Sequence, residues 1–287
     1  MRNIVVAATQ MSCSWNMEEN LAKAERLVRE AAGAGANLVL LQELFETPYF
    51  CQEQNPAHFQ YALPPERNPA IRCFRSIARE LGVVLPVSFY EQAPEGGYNS
   101  VAMIDADGTL LGIYRKTHIP CGPGYEERFY FQRGDSGFKV WETAYGRIGV
   151  GICWDQWFTE AARCMALLGA ELLCYPTAIG SEPDRPEVDS SRHWQMVMRG
   201  HAAANVLPVL ASNRVGVETA GDSSITFYGS SFICDETGAI IAEADRTAET
   251  VLLAEFDLDR IAAYREYWGI FKDRRPEMYG EIMKKND

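Results

Sequence analysis

The sequence predicts an α/β protein built as a four-layer α-β-β-α sandwich, and three observations carry that expectation. Short apolar runs alternate with amphipathic segments of helical period along the chain. Each half then contains a hairpin turned on an acidic-glycine loop, Asp105-Ala106-Asp107-Gly108 in the first and Asp235-Glu236-Thr237-Gly238 in the second. No linker or low-complexity stretch divides the halves, so residues 1–287 read as one domain of two similar sheets packed face to face, with helices outside.

The first ten residues enter a strand directly through Ile4, Val5 and Val6. Asn16 opens the first helix, and Glu19 completes an Asn-x-x-Glu capping pattern. Leu21, Ala24, Leu27, Val28 and Ala31 recur at helical spacing until Gly33 and Gly35 end the run. Leu38 to Leu41 is a short buried-strand pattern. Asn68 and Pro69 open a second helix, whose stripe of Ile71, Phe74, Ile77, Ala78 and Leu81 stops at Gly82. Residues 83–89, 100–104 and 110–114 read as strands. The second half repeats the grammar, with strands over 147–152, 172–175 and 208–212, helices over 159–168 and 190–205, and a hairpin of 230–234 with 240–244. Residues 213–224 and the tail from Trp268 are less regular.

Composition narrows the function classes. Apolar residues make up 47% of the chain, enough for a sizeable core. The formal charge of −12 argues against a nucleic-acid partner, which needs clustered Lys and Arg. No apolar run approaches the roughly 20 residues that cross a bilayer, and the N-terminus shows no signal-peptide pattern. The eight cysteines form no C-x-x-C pair and read as reduced thiols, so a cytoplasmic protein without a membrane partner is expected.

The chemistry concentrates at three strand ends. Ile148, Val150 and Ile152, spaced by glycines, lead straight into Cys153, and an amphipathic segment starts near Thr159. A cysteine at such a junction has free backbone N–H groups and a helix start beside it, which favour a thiolate and an oxyanion. Taken alone, a free cysteine is more often a small core hydrophobe. Two further segments change that balance: Glu43 lies just past one strand and Lys116 follows another, closed off by Pro120. A carboxylate, an ammonium and a thiol meeting beyond the carboxyl ends of parallel strands make the minimum for thiol-based acyl transfer. Each of the two charges alone reads as a solvated loop residue.

Together these segments resemble the nitrilase superfamily of carbon–nitrogen hydrolases, from Ile4 to about Met278. The resemblance implies a nitrilase-like fold, with Glu43, Lys116 and Cys153 as its Glu–Lys–Cys triad and Glu127 as a second glutamate, Glu126 being the adjacent alternative. It further implies that the backbone N–H of Trp154 joins Lys116 in holding the oxyanion. It also implies a homo-oligomer, with the segment from about 258 to 287 in subunit contacts, and no cofactor. The stretches 122–131, 177–183, 199–205 and 211–214 are similar to the subgroup acting on a small carbamoyl amine of the N-carbamoylputrescine type. Hydrolysis of a β-ureido acid or an ω-amide is the alternative within the superfamily. A substrate tail bearing an ammonium calls for acidic or aromatic partners, and Glu182, Asp184, Asp189, Tyr125, Tyr130 and Trp154 are the candidates.

A metal reading is weak. His193 and His201 stand eight residues apart on one helix, twice the spacing of a zinc pair, and His118 has no acid at motif spacing. Nor is there a nucleotide-binding glycine loop, since Gly149 and Gly151 belong to a buried strand pattern.

Overall fold

The first layers are formed by β1 (Asn3–Gln10), α1 (Met17–Gly33), β2 (Leu38–Leu40), α2 (Pro69–Leu81), β3 (Leu85–Ala93), β4 (Gly96–Ile104) and β5 (Leu110–Arg115) in a computed structural model that describes residues 2–284. After the single turn α3 (Glu127–Tyr130) come β6 (Val140–Thr143), β7 (Gly146–Val150), α4 (Thr159–Leu167), β8 (Leu172–Pro176), α5 (Ser191–Asn205) and β9 (Val209–Ser212). The chain closes with β10 (Val215–Ala220), β11 (Ser223–Tyr228), β12 (Phe232–Cys234), β13 (Ile240–Glu243), β14 (Thr250–Asp257) and α6 (Leu258–Trp268).

The strands make two facing sheets. One runs in the order β13-β12-β9-β8-β7-β6. The other joins β14-β1-β2 to β3-β4-β5 through a parallel bridge between Leu38 and Val84. Between the sheets Val6, Leu38, Leu40 and Met103 pack against Ile148, Val150, Leu172 and Leu210. The outer face of the first sheet is covered by Leu27, Val28, Phe74 and Ile77 of α1 and α2, and that of the second by Met165, Trp194 and Met198 of α4 and α5. These are the four layers expected from the alternating periods. Each side chain buried there contributes roughly 1.5–3 kcal/mol, which outweighs the weak intrinsic preferences of the short strands.

Local signals set the helix ends. Asn16 accepts the Glu19 N–H at 3.3 Å, but the Glu19 carboxylate turns to the Ser14 hydroxyl, so only half of the capping box forms. Asn68 accepts the Ile71 N–H at 3.0 Å, and Gly82 at φ 68° ends α2 in the left-handed conformation that glycine adopts freely.

Several elements escaped the sequence reading. The region 213–224, read as irregular, holds most of the β10–β11 hairpin, a two-stranded ribbon outside the main sheets. β6, β14 and α6 were not anticipated either. β14 carries the short apolar run 251–254 but is only partly buried and passes into α6 with no turn, Asp257 itself capping the helix, so no breaker marks the junction. In the tail, Phe271 packs between the guanidinium groups of Arg163 and Arg265, 4.9 and 5.6 Å from its ring centre, and so covers its own subunit.

Glu46 provides a pH test of the frame that carries the site. Its Oε2 accepts from the Asn68 amide at 2.9 Å at the start of α2, while Oε1 is buried without a partner. Burial pushes its carboxyl up to about 7, against the Asn68 amide and the Ala70 N–H, which favour the charge. The folded state therefore binds this proton more tightly than the unfolded chain. Stability is lost as pH rises from about 4.5 through about 7, then levels. Glu46→Gln is expected to remove that slope, a gain of roughly 3 kcal/mol at most by pH 7.5. Melting temperatures of both proteins across pH 4.5–7.5 check this, and parallel curves would refute it.

Candidate active site

β2, β5 and β7 deliver their end residues to one point. β3 is parallel to β2 by the Leu38–Val84 bridge, and β4 is antiparallel to both β3 and β5. β5 therefore runs with β2, and Glu43 and Lys116 leave the first sheet at the same edge. Cys153 follows β7 of the facing sheet. Lys116 Nζ lies 2.8 Å from Glu43 Oε1 and 2.8 and 2.7 Å from the two oxygens of Glu127. All three side chains are buried. Of the two candidate second glutamates the structure selects Glu127, which also accepts from the Tyr49 hydroxyl at 2.7 Å, whereas Glu126 pairs with Gln54.

The electrostatics are those of a dry, crowded cluster. Burial opposes the Lys116 charge, but Glu127 and Glu43 outweigh it and hold the ammonium above the usual lysine range. Burial, with Glu43 nearby, pushes the Glu127 carboxyl up against the pull of Lys116. Burial also raises the Cys153 thiol well above its ordinary value, Glu43 adding to this and Lys116 only partly offsetting it. Burial thus works against the thiolate that the strand end was expected to favour: Cys153 is 6% exposed, and a five-residue 3-10 turn, Cys153–Trp157, separates it from α4. Its S–H faces the Ala178 carbonyl at 3.7 Å. Glu43 Oε2 is buried with no hydrogen-bond partner.

Among the described residues, two of the four non-glycine residues with positive φ belong to this site: Cys153 at 39° and Leu44, next to Glu43, at 47°. Such backbone stores on the order of 1–3 kcal/mol and persists only where neighbours enforce it. At Leu44 the buried Arg214 guanidinium donates to the carbonyls of Glu43 at 2.7 Å and Leu44 at 3.2 Å, and the Leu44 N–H donates to Ser88. At Cys153, Asp155 accepts from the Ile152 N–H at 2.9 Å and the Tyr114 hydroxyl at 2.7 Å. The other Asp155 oxygen takes the N–H of His118 at 3.0 Å and sits 2.7 Å from its Nδ1, so the turn is tied to the segment carrying Lys116. Gly151 is needed there because a Cβ would come 2.8 Å from the Tyr175 ring.

Cys153 and Glu127 face a cavity of about 240 Å³. Four sequence candidates line it: Tyr125, Trp154, Glu182 and Asp184. Two do not, and those expectations are corrected. Tyr130 is buried in an aromatic cluster, its ring 5.0 Å from that of Phe50 and its hydroxyl donating to the Glu53 carbonyl. Asp189 accepts from Ser191 at the start of α5 and pairs with Arg246. Trp157 lines the cavity and was missed, although its position three residues after Trp154 puts both rings on one side of a helical turn. Asn99, in contact with Glu43, was also missed, since it sits just before the apolar run by which β4 was recognised. Among the described residues, no lysine or arginine lines the cavity.

The histidines have other duties. His118 stacks on Phe158 with ring centres 3.6 Å apart, and His201 Nε2 lies 2.7 Å from the Gln156 carbonyl oxygen. Among the described residues, no three His, Cys, Asp or Glu side chains are grouped to hold a metal, and no helix is long and apolar enough to cross a membrane.

Comparison with known proteins agrees with this geometry. The family profile described as carbon-nitrogen hydrolase matches residues 5–266. The chain is 58% identical to an N-carbamoylputrescine amidase of Arabidopsis thaliana, covering 98% of this chain and 96% of that one. It is 54% identical to a citrullinase of Francisella tularensis subsp. tularensis, over 99% and 100% of the two chains. The crystal structure of a carbon-nitrogen hydrolase from Helicobacter pylori G27 matches with a TM-score of 0.92 at 39% identity, over 99% and 100%.

Proposed function

This chain belongs to the carbon–nitrogen hydrolase family, and we propose that it hydrolyses N-carbamoylputrescine to putrescine, ammonia and carbon dioxide, a step of polyamine synthesis. The observation that carries the reading is a buried Glu–Lys–Cys cluster beside a cavity lined by Cys153 and, among the described residues, by three acids (Glu127, Glu182 and Asp184), three aromatic rings and no cation. An ammonium on a short alkyl chain fits such a lining.

In this reading Glu43 Oε2 takes the Cys153 proton, and the sulfur attacks the carbamoyl carbon. Negative charge then develops on the carbamoyl oxygen, beside the Trp154 N–H in the first turn after Cys153, where N–H groups have no partner within the turn. Lys116 adds its charge. Its three N–H groups already meet three carboxylate oxygens, so a direct bond to the oxyanion requires Glu127 to release one of its two contacts. Glu43 returns the proton to the leaving nitrogen, then deprotonates the water that cleaves the carbamoyl–sulfur bond. Whichever nitrogen leaves first, the remaining carbamate loses carbon dioxide and the products are the same.

Specificity is assigned to Glu182 and Asp184. Burial, with Asp184 alongside, raises the Glu182 carboxyl, which a bound ammonium would offset. Glu182→Gln is expected to raise KM for N-carbamoylputrescine roughly ten- to a hundredfold with little change in kcat. An uncharged carbamoyl alkylamine of equal length should be untouched, and equal losses on both would mean that Glu182 only shapes its loop. Citrulline carries a carboxylate beside its ammonium, and carbamoyl-β-alanine a carboxylate alone. Neither finds a cation in this cavity, so both should be poorer substrates for the wild type; a preference for either would defeat the assignment.

We also read 1–287 as one domain that assembles with copies of itself. Exposed Met196, Trp268, Met278, Ile282 and Met283 border or lie near a groove of about 850 Å³ between α4, α5 and the tail, which supports subunit contacts there. Light scattering should give a multiple of 32.1 kDa, and a monomer would refute this. The free cysteines fit the reducing cytoplasm.

A further inference from the structure

We propose that Asn99 is a positioning residue that decides which oxygen of Glu43 acts as the base. Asn99 is fully buried in β4, the middle strand of β3-β4-β5, and its carbonyl accepts the Lys116 N–H at 2.8 Å. Its side-chain Nδ2 lies 2.6 Å from Glu43 Oε1 and 3.5 Å from Glu127 Oε2. Only this amide orientation is electrostatically tenable, because the flipped one would press a carbonyl oxygen against two carboxyl groups.

The consequence lies in the distribution of donors. Glu43 Oε1 receives both the Lys116 ammonium and the Asn99 amide, while Oε2 receives none. Two strong donors on one oxygen lower its proton affinity and fix the carboxyl plane, which leaves Oε2 as the basic oxygen for the thiol. Lys116 cannot do this alone, since its remaining contacts go to Glu127. The other charged or titratable groups around Glu43 are Glu127, Cys153, Cys51, Tyr49 and Arg214, and Arg214 reaches its backbone carbonyl, not its carboxylate. The inference rests on the reading of Glu43 as the base of a thiol hydrolase.

Asn99→Ala and Asn99→Asp, checked for folding by circular dichroism, test it on N-carbamoylputrescine. In the alanine variant kcat should fall roughly ten- to a hundredfold with KM little changed. The acid limb of kcat/KM should move up by about one pH unit, because the charged carboxylate has lost a donor. Asn99→Asp should be poorer still, since it sets a third carboxyl against the other two. Alkylation of Cys153 by iodoacetamide, followed on its own peptide by mass spectrometry, should slow at pH 7 in both. A folded Asn99→Ala with a wild-type acid limb and alkylation rate overturns the proposal, as does a loss confined to KM. If Asn99→Ala does not fold, Asn99→Ser gives the same comparison, and its hydroxyl, keeping one donor, should shift the limb by less; an unmoved limb there overturns the proposal equally. Activity persisting in Cys153→Ala would instead overturn the hydrolase reading itself.

Discussion

Cys153→Ala is expected to lower kcat for N-carbamoylputrescine by several orders of magnitude while the protein stays folded. The side chain is a small one at the edge of the core: its S–H meets one carbonyl, that of Ala178, and the strained turn is held by Asp155, not by the sulfur. Removing it deletes the buried thiol of the Glu43–Lys116 cluster and leaves the frame in place; Cys121, the second thiol on the cavity, is exposed. Cys153→Ser should be almost as poor. The thiol is already raised by burial, and a hydroxyl, whose proton is held far more tightly, is beyond the reach of a carboxylate base. Rates of ammonia release with purified variants decide the matter. Turnover in the alanine variant within tenfold of wild type would exclude covalent catalysis by this sulfur.

Glu43→Gln should cause a loss of similar size, by a different route. The amide is nearly isosteric and its oxygen can still accept from Lys116 and Asn99, so the cluster can stay assembled. What disappears is the unpartnered Oε2, replaced by an NH2 that cannot take a proton. Combined with Cys153→Ala, the change should cost almost nothing more, because groups that act as one unit are not additive. Independent losses that multiply in the double variant would show that Glu43 and Cys153 serve separate steps. Lys116→Ala should also lower kcat steeply, but with a lower melting temperature, since it strips two buried carboxyl groups of their counter-charge, a change worth about 3–5 kcal/mol.

Much of the fold was legible because its signals are local. Asn16 and Asn68 cap helices wherever a helix follows them, and the acidic-glycine loops turn hairpins within four residues. The same holds for the buried Glu–Lys–Cys cluster. Glu43, Lys116 and Cys153 each follow a strand pattern directly, so their neighbourhood was readable even though they lie on two sheets. Two features were lost for other reasons: β14 flows into α6, and the β10–β11 ribbon, turned on Gly221-Asp222, presents exposed residues among its buried ones and stands outside the main sheets.

What the sequence by itself determined was the architecture, the strand ends that carry Glu43, Lys116 and Cys153, and four of the cavity-lining residues, because period, caps and strand ends are properties of short segments. Only the tertiary structure separated Glu126 from Glu127, the first lying just ahead of a single helical turn and bonded to Gln54, the second opening that turn and set on Lys116. It also sent Tyr130 into the aromatic core, raised the Cys153 thiol by burial and set Asn99 against Glu43. Each of these depends on which distant groups exclude water around a side chain. Desolvation and charge pairing are sums over the folded neighbourhood, and a linear motif does not contain them.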